Sequence, residues 1–306
     1  MLSIASLTHV YPNGTRALDD VSLEIPPGLY GLLGPNGAGK STLMRCLATL
    51  QVPTSGRMRF GDIDVLAEPQ RLRARLGYLP QDFGVYPRVS AYEMLDHLAV
   101  LKGLTAGGAR RETVEALLQQ VNLWDVRKKA IAGFSGGMRQ RFGIAQALIG
   151  NPALMIVDEP TAGLDPEERN RFNNLLAEIG STRVVILSTH IVEDVADLCS
   201  RMAILVDGRI VSAGTPGALV AGLRGKVWRR AVDAEELPGL RKQFALISTR
   251  LRGGRHVIHV LSDTAPDPRF EQAEADLEEV YFSTLYAHRR DHGQSSNEAS
   301  RDAGAR

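Results

Sequence analysis

The sequence has few cysteines and no excess of either charge. Its 306 residues include two cysteines, Cys46 and Cys199, which stand far apart and outside any CxxC pair. This rules out a disulfide framework and a cysteine-based zinc site, and it indicates buried thiols in a reducing compartment. The 36 basic and 35 acidic residues leave a net charge of +1, which argues against a generally basic nucleic-acid-binding surface.

The sequence also lacks a long hydrophobic run. No apolar stretch approaches the ~18–20 residues that a membrane-spanning helix requires. Residues 1–14 do not join a basic start to an apolar core, so we expect no signal peptide. If the chain works at a membrane, a second chain must supply the membrane part. Hydrophobic residues still make up 44% of the chain, which is typical of a protein with a packed core.

What the sequence does contain is a series of short apolar strands that alternate with helical patterns. "LYGLLG" (29–34), "ALMIVD" (153–158) and "RVVILSTH" (183–190) are continuous apolar runs typical of buried strands. Helical spacing dominates residues 84–150, and the N-terminal segments favour a β-rich side unit. Alternation of this kind predicts an α/β fold with a largely parallel sheet.

The pattern changes near Pro216. Residues 217–288 contain one weak strand (256–262) and one amphipathic helix, so we predict a small accessory unit there. The polar end, residues 289–306, is expected to be disordered. The predicted domains are therefore 1–216, 217–288 and a tail.

"GPNGAGKST", residues 34–42, matches the phosphate-loop pattern G-x-x-x-x-G-K-[ST] between a buried strand and a helix. Glycines let backbone N–H groups turn toward phosphate oxygens, and the helix N-terminus adds positive partial charge. We expect Lys40 to reach the β and γ phosphates, Ser41 to ligate Mg²⁺ and Thr42 to hold the α and β phosphates. The predicted nucleotide-binding residues here are Gly34, Pro35, Asn36, Gly37, Ala38, Gly39, Lys40, Ser41 and Thr42.

Two neighbouring strands carry polar residues at their ends. Asp158 and Glu159 close one strand, and His190 closes the next. This is the edge at which ligands bind in open α/β sheets. Asp158 suits a Mg²⁺-organising acid and Glu159 a base that activates water. His190 suits a link between the γ-phosphate and Glu159. A solvated turn is the alternative for the two acids, and the phosphate loop disfavours it.

With "FSGGMRQR" at 134–141, the sequence resembles the ATP-binding cassette (ABC) family over residues 1–216. The motifs occur in order: the phosphate loop, Gln81 at a strand end, SGG, "DEP", "GLDP" (163–166) and "STH" (188–190). The resemblance implies a P-loop NTPase (RecA-like) α/β fold. Its mostly parallel sheet carries an antiparallel β subdomain and a helical signature subdomain, and a small α+β accessory unit follows.

The resemblance also implies roles for further residues. Ser135, Gly136 and Gly137 resemble the signature that contacts the γ-phosphate bound by another subunit. Gln81 is similar to the glutamine that senses Mg²⁺, contributes to catalysis and faces the membrane partner. Asp165 resembles the acid that couples two sites, and Tyr11 resembles the aromatic residue that stacks on adenine.

One departure from the family pattern matters. The commonest signature is LSGGQ; here Phe134 keeps the bulk of the leucine, but Met138 replaces the final glutamine and lacks its hydrogen-bonding amide. Methionine resembles the exporter branch that pairs with ABC-2 type permeases, and so does the segment "LEEVYFSTL" after residue 276. The resemblance therefore implies an ATPase that uses ATP and Mg²⁺. It would form a dimer, a homodimer by preference, and sit on the cytoplasmic face of the membrane through a permease.

Two other functions stay open at this point. A soluble ABC protein that acts on nucleic acid or ribosomes is disfavoured, because long coiled-coil heptads and a second cassette are missing. No nucleic-acid partner is therefore expected. A regulatory module that binds ATP without hydrolysis is disfavoured because both Glu159 and His190 are present.

Overall fold

The structure is a computed structural model that describes residues 1–84, 86 and 88–302, with side chains described as far as residue 290. The chain divides into two compact units, Met1–Ile210 and Val211–Arg306. The predicted boundary at residue 216 and the predicted extent of the helical subdomain remain predictions.

The first unit begins with an antiparallel sheet in the strand order β2-β1-β4-β5. Its strands are β1 (Leu2–Val10), β2 (Arg16–Ile25), β4 (Ser55–Phe60) and β5 (Ile63–Asp64). Alternate residues of β1, such as Leu2 and Ile4, are buried, because one face of the sheet packs on the core and the other faces water. This is the predicted antiparallel β subdomain.

The second sheet of this unit has six strands in the order β10-β9-β3-β8-β7-β6. Its strands are β3 (Gly28–Leu33), β6 (Leu76–Leu79), β7 (Leu154–Asp158), β8 (Val184–Thr189), β9 (Arg201–Val206) and β10 (Arg209–Gly214). The four pairings between β6 and β9 in this order are parallel. Every residue of β7 and β8 is buried, as expected of strands covered on both faces. The mostly parallel α/β fold is confirmed.

Helices connect these strands and place the loops of the site. They are α1 (Lys40–Leu47), α2 (Pro69–Arg75), α3 (Ala91–Leu101), α4 (Gly107–Gln120), α5 (Gly136–Leu148), α6 (Pro166–Gly180) and α7 (Val192–Leu198). Residues 84–150 hold α3, α4 and α5, which contact one another. A capping box fixes the start of α3, since Ser90 Oγ accepts from Glu93 N and Glu93 Oε2 accepts from Ser90 N.

The second unit contains more β structure than the sequence predicted. Its elements are α8 (Pro216–Ala221), β11 (Val227–Val232), α9 (Leu237–Gln243), β12 (Leu246–Arg252), β13 (Arg255–Leu261), β14 (Glu271–Gln272) and α10 (Leu277–Asp302). The strand predicted at 256–262 corresponds to β13, but the expectation of a single strand was wrong. Strands β11 and β12 were missed because arginines interrupt their apolar alternation. Val232, Ile258 and Val260 form part of the apolar core on one face of this sheet.

At the end of the chain, α10 runs to Asp302, and its first turns pack Leu277, Val280 and Leu285. The disordered tail expected for residues 289–306 stays a prediction. Residues 303–306 lie outside the described part of the chain. Among the described residues, no helix is long and apolar enough to cross a membrane.

Candidate functional site

The phosphate loop joins the end of β3 to α1. Gly39 caps α1 in the left-handed region at φ 103°, where only glycine is unstrained. A Cβ on Gly39 would lie 2.3 Å from the backbone oxygen of Ala17. A Cβ on Gly34 would lie at the same 2.3 Å from the backbone oxygen of Leu205. Close backbone approach at two points therefore requires glycine at both ends of the loop.

Lys40 holds the loop closed from inside. Its side chain is 6% exposed, and its Nζ donates to Gly34 O at 2.7 Å and to Pro35 O at 3.3 Å. The same Nζ lies 3.3 Å from Oε1 of Glu159. A buried ammonium with three oxygen neighbours is positioned to exchange one of them for a phosphate oxygen.

Glu159 follows β7 with its backbone in the left-handed region, at φ 50°. This conformation costs a non-glycine residue about 1–3 kcal/mol. The Glu159 N–H donates to Ser188 O at 2.8 Å, which ties it to the neighbouring strand β8. Its side-chain Oε2 lies 2.6 Å from Nδ1 of His190, just beyond β8. The structure therefore brings Lys40, Glu159 and His190 into one chain of contacts, as the two strand ends predicted.

Asp158 is the other carboxylate at this edge. It is 3% exposed, and its Oδ1 has no hydrogen-bond partner among the residues that the structure describes. Burial raises the pKa of Asp158 and the adjacent Glu159 adds to the rise, while the hydroxyls of Ser188 and Ser41 oppose it. A buried carboxylate oxygen without a partner is suited to a cation or to a water bound to one.

A cavity of about 500 Å³ opens over these residues. Most of the predicted nucleotide site lines it: Tyr11, Pro35, Asn36, Gly37, Ala38, Gly39, Lys40, Ser41, Thr42, Gln81, Glu159 and His190. Gly34 and Asp158 do not line the cavity, although Gly34 contacts Lys40. The hydroxyls of Tyr11 and Thr42 lie 3.0 Å apart, which joins the predicted adenine contact to the phosphate loop.

Sequence reasoning missed five residues of the cavity wall. They are Thr15, Arg16, Ala17, Asp207 and Gly208. The first three precede or begin β2, and the other two form the turn between β9 and β10. Asp207-Gly208 is a turn signal in the sequence, but a turn signal does not indicate closeness to the phosphate loop.

The signature residues lie apart from this cavity. Ser135 caps α5, with its Oγ accepting from Met138 N at 3.2 Å, so Gly136 and Gly137 open the helix. Asp165 caps α6 by accepting from Glu168 N at 2.9 Å. In the described part of the chain, neither Ser135–Gly137 nor Asp165 lines the cavity that holds Lys40 and Glu159. Within one copy, the described signature residues are therefore not part of this cavity.

A larger cavity, about 910 Å³, lies within the second unit. Arginines and acids line it in nearly equal number, and several are already paired, for example Arg229 with Glu271 and Arg230 with Glu236. It contains none of the motifs, so the smaller cavity at the sheet edge is the candidate active site.

Comparison with known proteins agrees with this geometry. The family described as "ABC transporter" matches residues 18–162. The daunorubicin/doxorubicin resistance ATP-binding protein DrrA of Streptomyces peucetius is 39% identical over 239 residues, 76% of this chain and 71% of that protein. The phosphonates import ATP-binding protein PhnC of Chromohalobacter salexigens is 38% identical over 233 residues, 72% of this chain and 86% of that protein.

A solved structure shows the same fold. It is the dimeric post-hydrolysis state of the ATP-binding cassette MJ0796 bound to ADP and Pi, which is 27% identical with a TM-score of 0.64. The match covers 70% of this chain and 98% of that one. The chain belongs to the ABC transporter family and is the ATP-binding, ATP-hydrolysing subunit of such a transporter.

Proposed function

We propose that two copies of this chain pair head to tail, so that each phosphate loop meets the signature of the other copy. The separation of Ser135–Gly137 from the cavity around Lys40 supports this arrangement. A serine hydroxyl and glycine N–H groups at a helix N-terminus suit a γ-phosphate. The dimeric cassette MJ0796, bound to ADP and Pi, gives independent support for pairing in the family.

In this proposal the site residues divide the work of hydrolysis. Glu159 orients and deprotonates the attacking water, and His190 holds Glu159 and reaches toward the γ-phosphate. Lys40 exchanges a backbone oxygen for phosphate oxygens and stabilises the negative charge that develops there. Tyr11 stacks on the adenine, and Asp165 couples the two sites of the dimer.

A magnesium ion fits the residues at this edge. Asp158 offers a buried oxygen with no partner in the described part of the chain, Ser41 offers a hydroxyl and Gln81 an amide oxygen. The described residues include no group of three or more His, Cys, Asp or Glu side chains that would hold a metal. Mg²⁺ is usually held by one or two carboxylates together with substrate phosphates. The ion would neutralise charge on the phosphates.

The permease is proposed to dock in a groove of the first unit. The groove has a volume of about 350 Å³, and Leu50, Tyr78, Leu98 and Leu101 contribute to its wall. Leu50 is 64% exposed and Leu101 is 70% exposed. Exposed apolar side chains around one groove indicate a protein partner. This partner would hold the chain at the cytoplasmic face of the membrane.

Export is the proposed direction of transport. The signature methionine and the C-terminal unit support it, and so does the similarity to DrrA, named for drug resistance. The cassette alone does not decide the direction, because PhnC, named for import, is nearly as similar. A soluble ABC protein acting on nucleic acid or ribosomes is the second candidate, and the transporter names of the relatives favour transport over it.

Capture from detergent-solubilised membranes tests this function. Tagged wild-type chain is expected to retain a polytopic membrane protein, and Leu101→Glu is expected to lose it. Leu251→Glu places the same charge on a leucine of the second unit that is 67% exposed, and it serves as the matched control. Capture of ribosomes or DNA instead would support the second candidate. ATP-dependent accumulation of cargo in inside-out vesicles containing the recovered complex would indicate export.

A further inference from the structure

A buried acid outside the cavity links the segments that follow the two strand ends carrying Glu159 and His190. Asp194 lies on α7, four residues after His190, and its exposed fraction is 0%. It does not line the cavity, so it has no direct access to nucleotide. An acid buried this completely is stable only when hydrogen-bond donors or opposite charges surround it.

Three donors surround Asp194, and all of them come from the segment that follows Glu159. Thr161 Oγ1 donates to Oδ2. Arg169 Nε donates to Oδ1 at 2.7 Å, and Asn173 Nδ2 donates to the same oxygen at 3.4 Å. Thr161 stands two residues beyond Glu159, and Arg169 and Asn173 are one helical turn apart on α6.

These hydrogen bonds form a second link between the segments that the contact between Glu159 and His190 already joins. The contact at 2.6 Å joins the end of β7 to the end of β8 on the cavity side, where the His190 side chain is 47% exposed. Asp194 joins the segments that follow the same two strands, but in the interior. Two separate sets of contacts restrain the relative position of the segments more than one exposed contact does.

The strained backbone of Glu159 depends on this second set of contacts. Its φ of 50° persists only if the surrounding structure enforces it. One restraint is the bond from Glu159 N to Ser188 O. The other is the anchoring of Thr161, which limits how the chain leaves the strained residue. Loss of that anchor lets the Glu159 carboxylate move relative to His190 and the phosphate loop.

We infer that Asp194 is a positioning residue for ATP hydrolysis. It acts through Thr161 and α6 to hold the side chains of Glu159 and His190 in place relative to each other. The inference rests on the proposed roles of Glu159 and His190. It predicts a loss in kcat without a loss in ATP binding, because the phosphate loop and Tyr11 are not part of the network. Arg169 N also donates to the backbone oxygen of Asp165, the cap of α6, at 2.9 Å.

The test compares two neighbouring acids of α7 in the full chain. Asp194→Asn is expected to lower kcat about 10- to 100-fold, the effect of a displacement near 1 Å at a reacting group. KM and the Kd of a fluorescent ATP analogue are expected to stay within about twofold. Glu193→Gln is the matched control, since Glu193 is 69% exposed and lies 3.9 Å from Arg169; its kcat is expected to remain that of the wild type.

Thr161 supplies a second, milder variant pair. Thr161→Val removes only the hydroxyl donor and should reproduce the kcat loss, whereas Thr161→Ser keeps the donor and should restore the wild-type rate. Urea unfolding of every variant gives its folded fraction, and the measured kcat is divided by that fraction. The inference is overturned if kcat per folded molecule stays within about twofold of wild type in both Asp194→Asn and Thr161→Val.

Reference variants separate this outcome from failure of the proposed site. Glu159→Gln and His190→Ala should both stall hydrolysis. If they do and Asp194→Asn does not, only the positioning role is wrong. If they keep wild-type turnover, the proposed roles of Glu159 and His190 are wrong as well.

Discussion

Replacement of Glu159 by glutamine separates nucleotide binding from hydrolysis most sharply. Glutamine keeps the size of the side chain and an oxygen for Lys40, but it removes the negative charge and the capacity to take a proton. At 3.3 Å and an effective dielectric constant of about 20, the attraction between Lys40 and Glu159 is about 5 kcal/mol before the opposing cost of burying both charges. Lys40 keeps its bonds to Gly34 O and Pro35 O, so the loop is expected to remain closed.

The expected effect falls on the rate and not on affinity. Loss of a general base lowers kcat about 10²- to 10⁴-fold, or about 2.7–5.5 kcal/mol in the barrier. ATP affinity is expected to stay the same or to rise, because a carboxylate that repels the γ-phosphate has been neutralised. The variant should therefore hold ATP and remain paired with a second copy.

Phosphate release in a single turnover measures the rate of hydrolysis. The elution volume on size-exclusion chromatography with ATP measures pairing with a second copy. Glu167→Gln is the control, since Glu167 is an acid on α6 with 75% of its side chain exposed. It should behave as wild type. Turnover at the wild-type rate in Glu159→Gln would refute the assignment of this residue as the base.

Two further predictions concern titratable groups away from the nucleotide. Burial raises the pKa of Cys46 to about 11 and that of Cys199 to about 12. Both thiols should therefore react with Ellman's reagent at pH 8 far more slowly in the folded chain than in urea; free-cysteine rates in the folded chain would contradict this. Burial, reinforced by the charge of Arg250, lowers the pKa of His259 from 6.5 to about 4. Its contribution to stability is thus present above pH 6.5 and lost as the pH falls toward 4. In His259→Gln the free energy of unfolding should depend less on pH over this range. Urea unfolding of a Trp124→Phe background, followed by the fluorescence of Trp228, measures that free energy at each pH. An unchanged pH dependence in His259→Gln would contradict the prediction.

The candidate active site was predictable because its residues lie in short motifs at strand ends. The phosphate loop, Asp158-Glu159 and His190 each adjoin a buried apolar run, and parallel strands bring their carboxyl ends to one edge. The sequence therefore indicated both the residues and their closeness. The left-handed backbone of Glu159 was not predictable, because a glutamate after a strand gives no sign of positive φ.

Contacts between distant segments that carry no motif were beyond sequence reasoning. Asp194 follows Glu193 in a short helix, and nothing local shows that Asp194 is fully buried while Glu193 is exposed. The difference arises from the packing of α7 against α6. Strands β11 and β12 of the second unit were missed for a related reason, since paired arginines such as Arg230 occupy positions where an apolar residue is expected.

Activity of mixed dimers tests the central claim most directly. The claim is that Lys40 of one copy and Ser135–Gly137 of another build one site. Lys40→Ala and Gly136→Asp chains, each inactive alone, would be co-expressed with different tags and purified in tandem. In such a dimer one site carries both defects and the other carries neither. The account predicts recovery of about half the wild-type ATPase rate. A mixed dimer that forms and stays as inactive as its parents would contradict it.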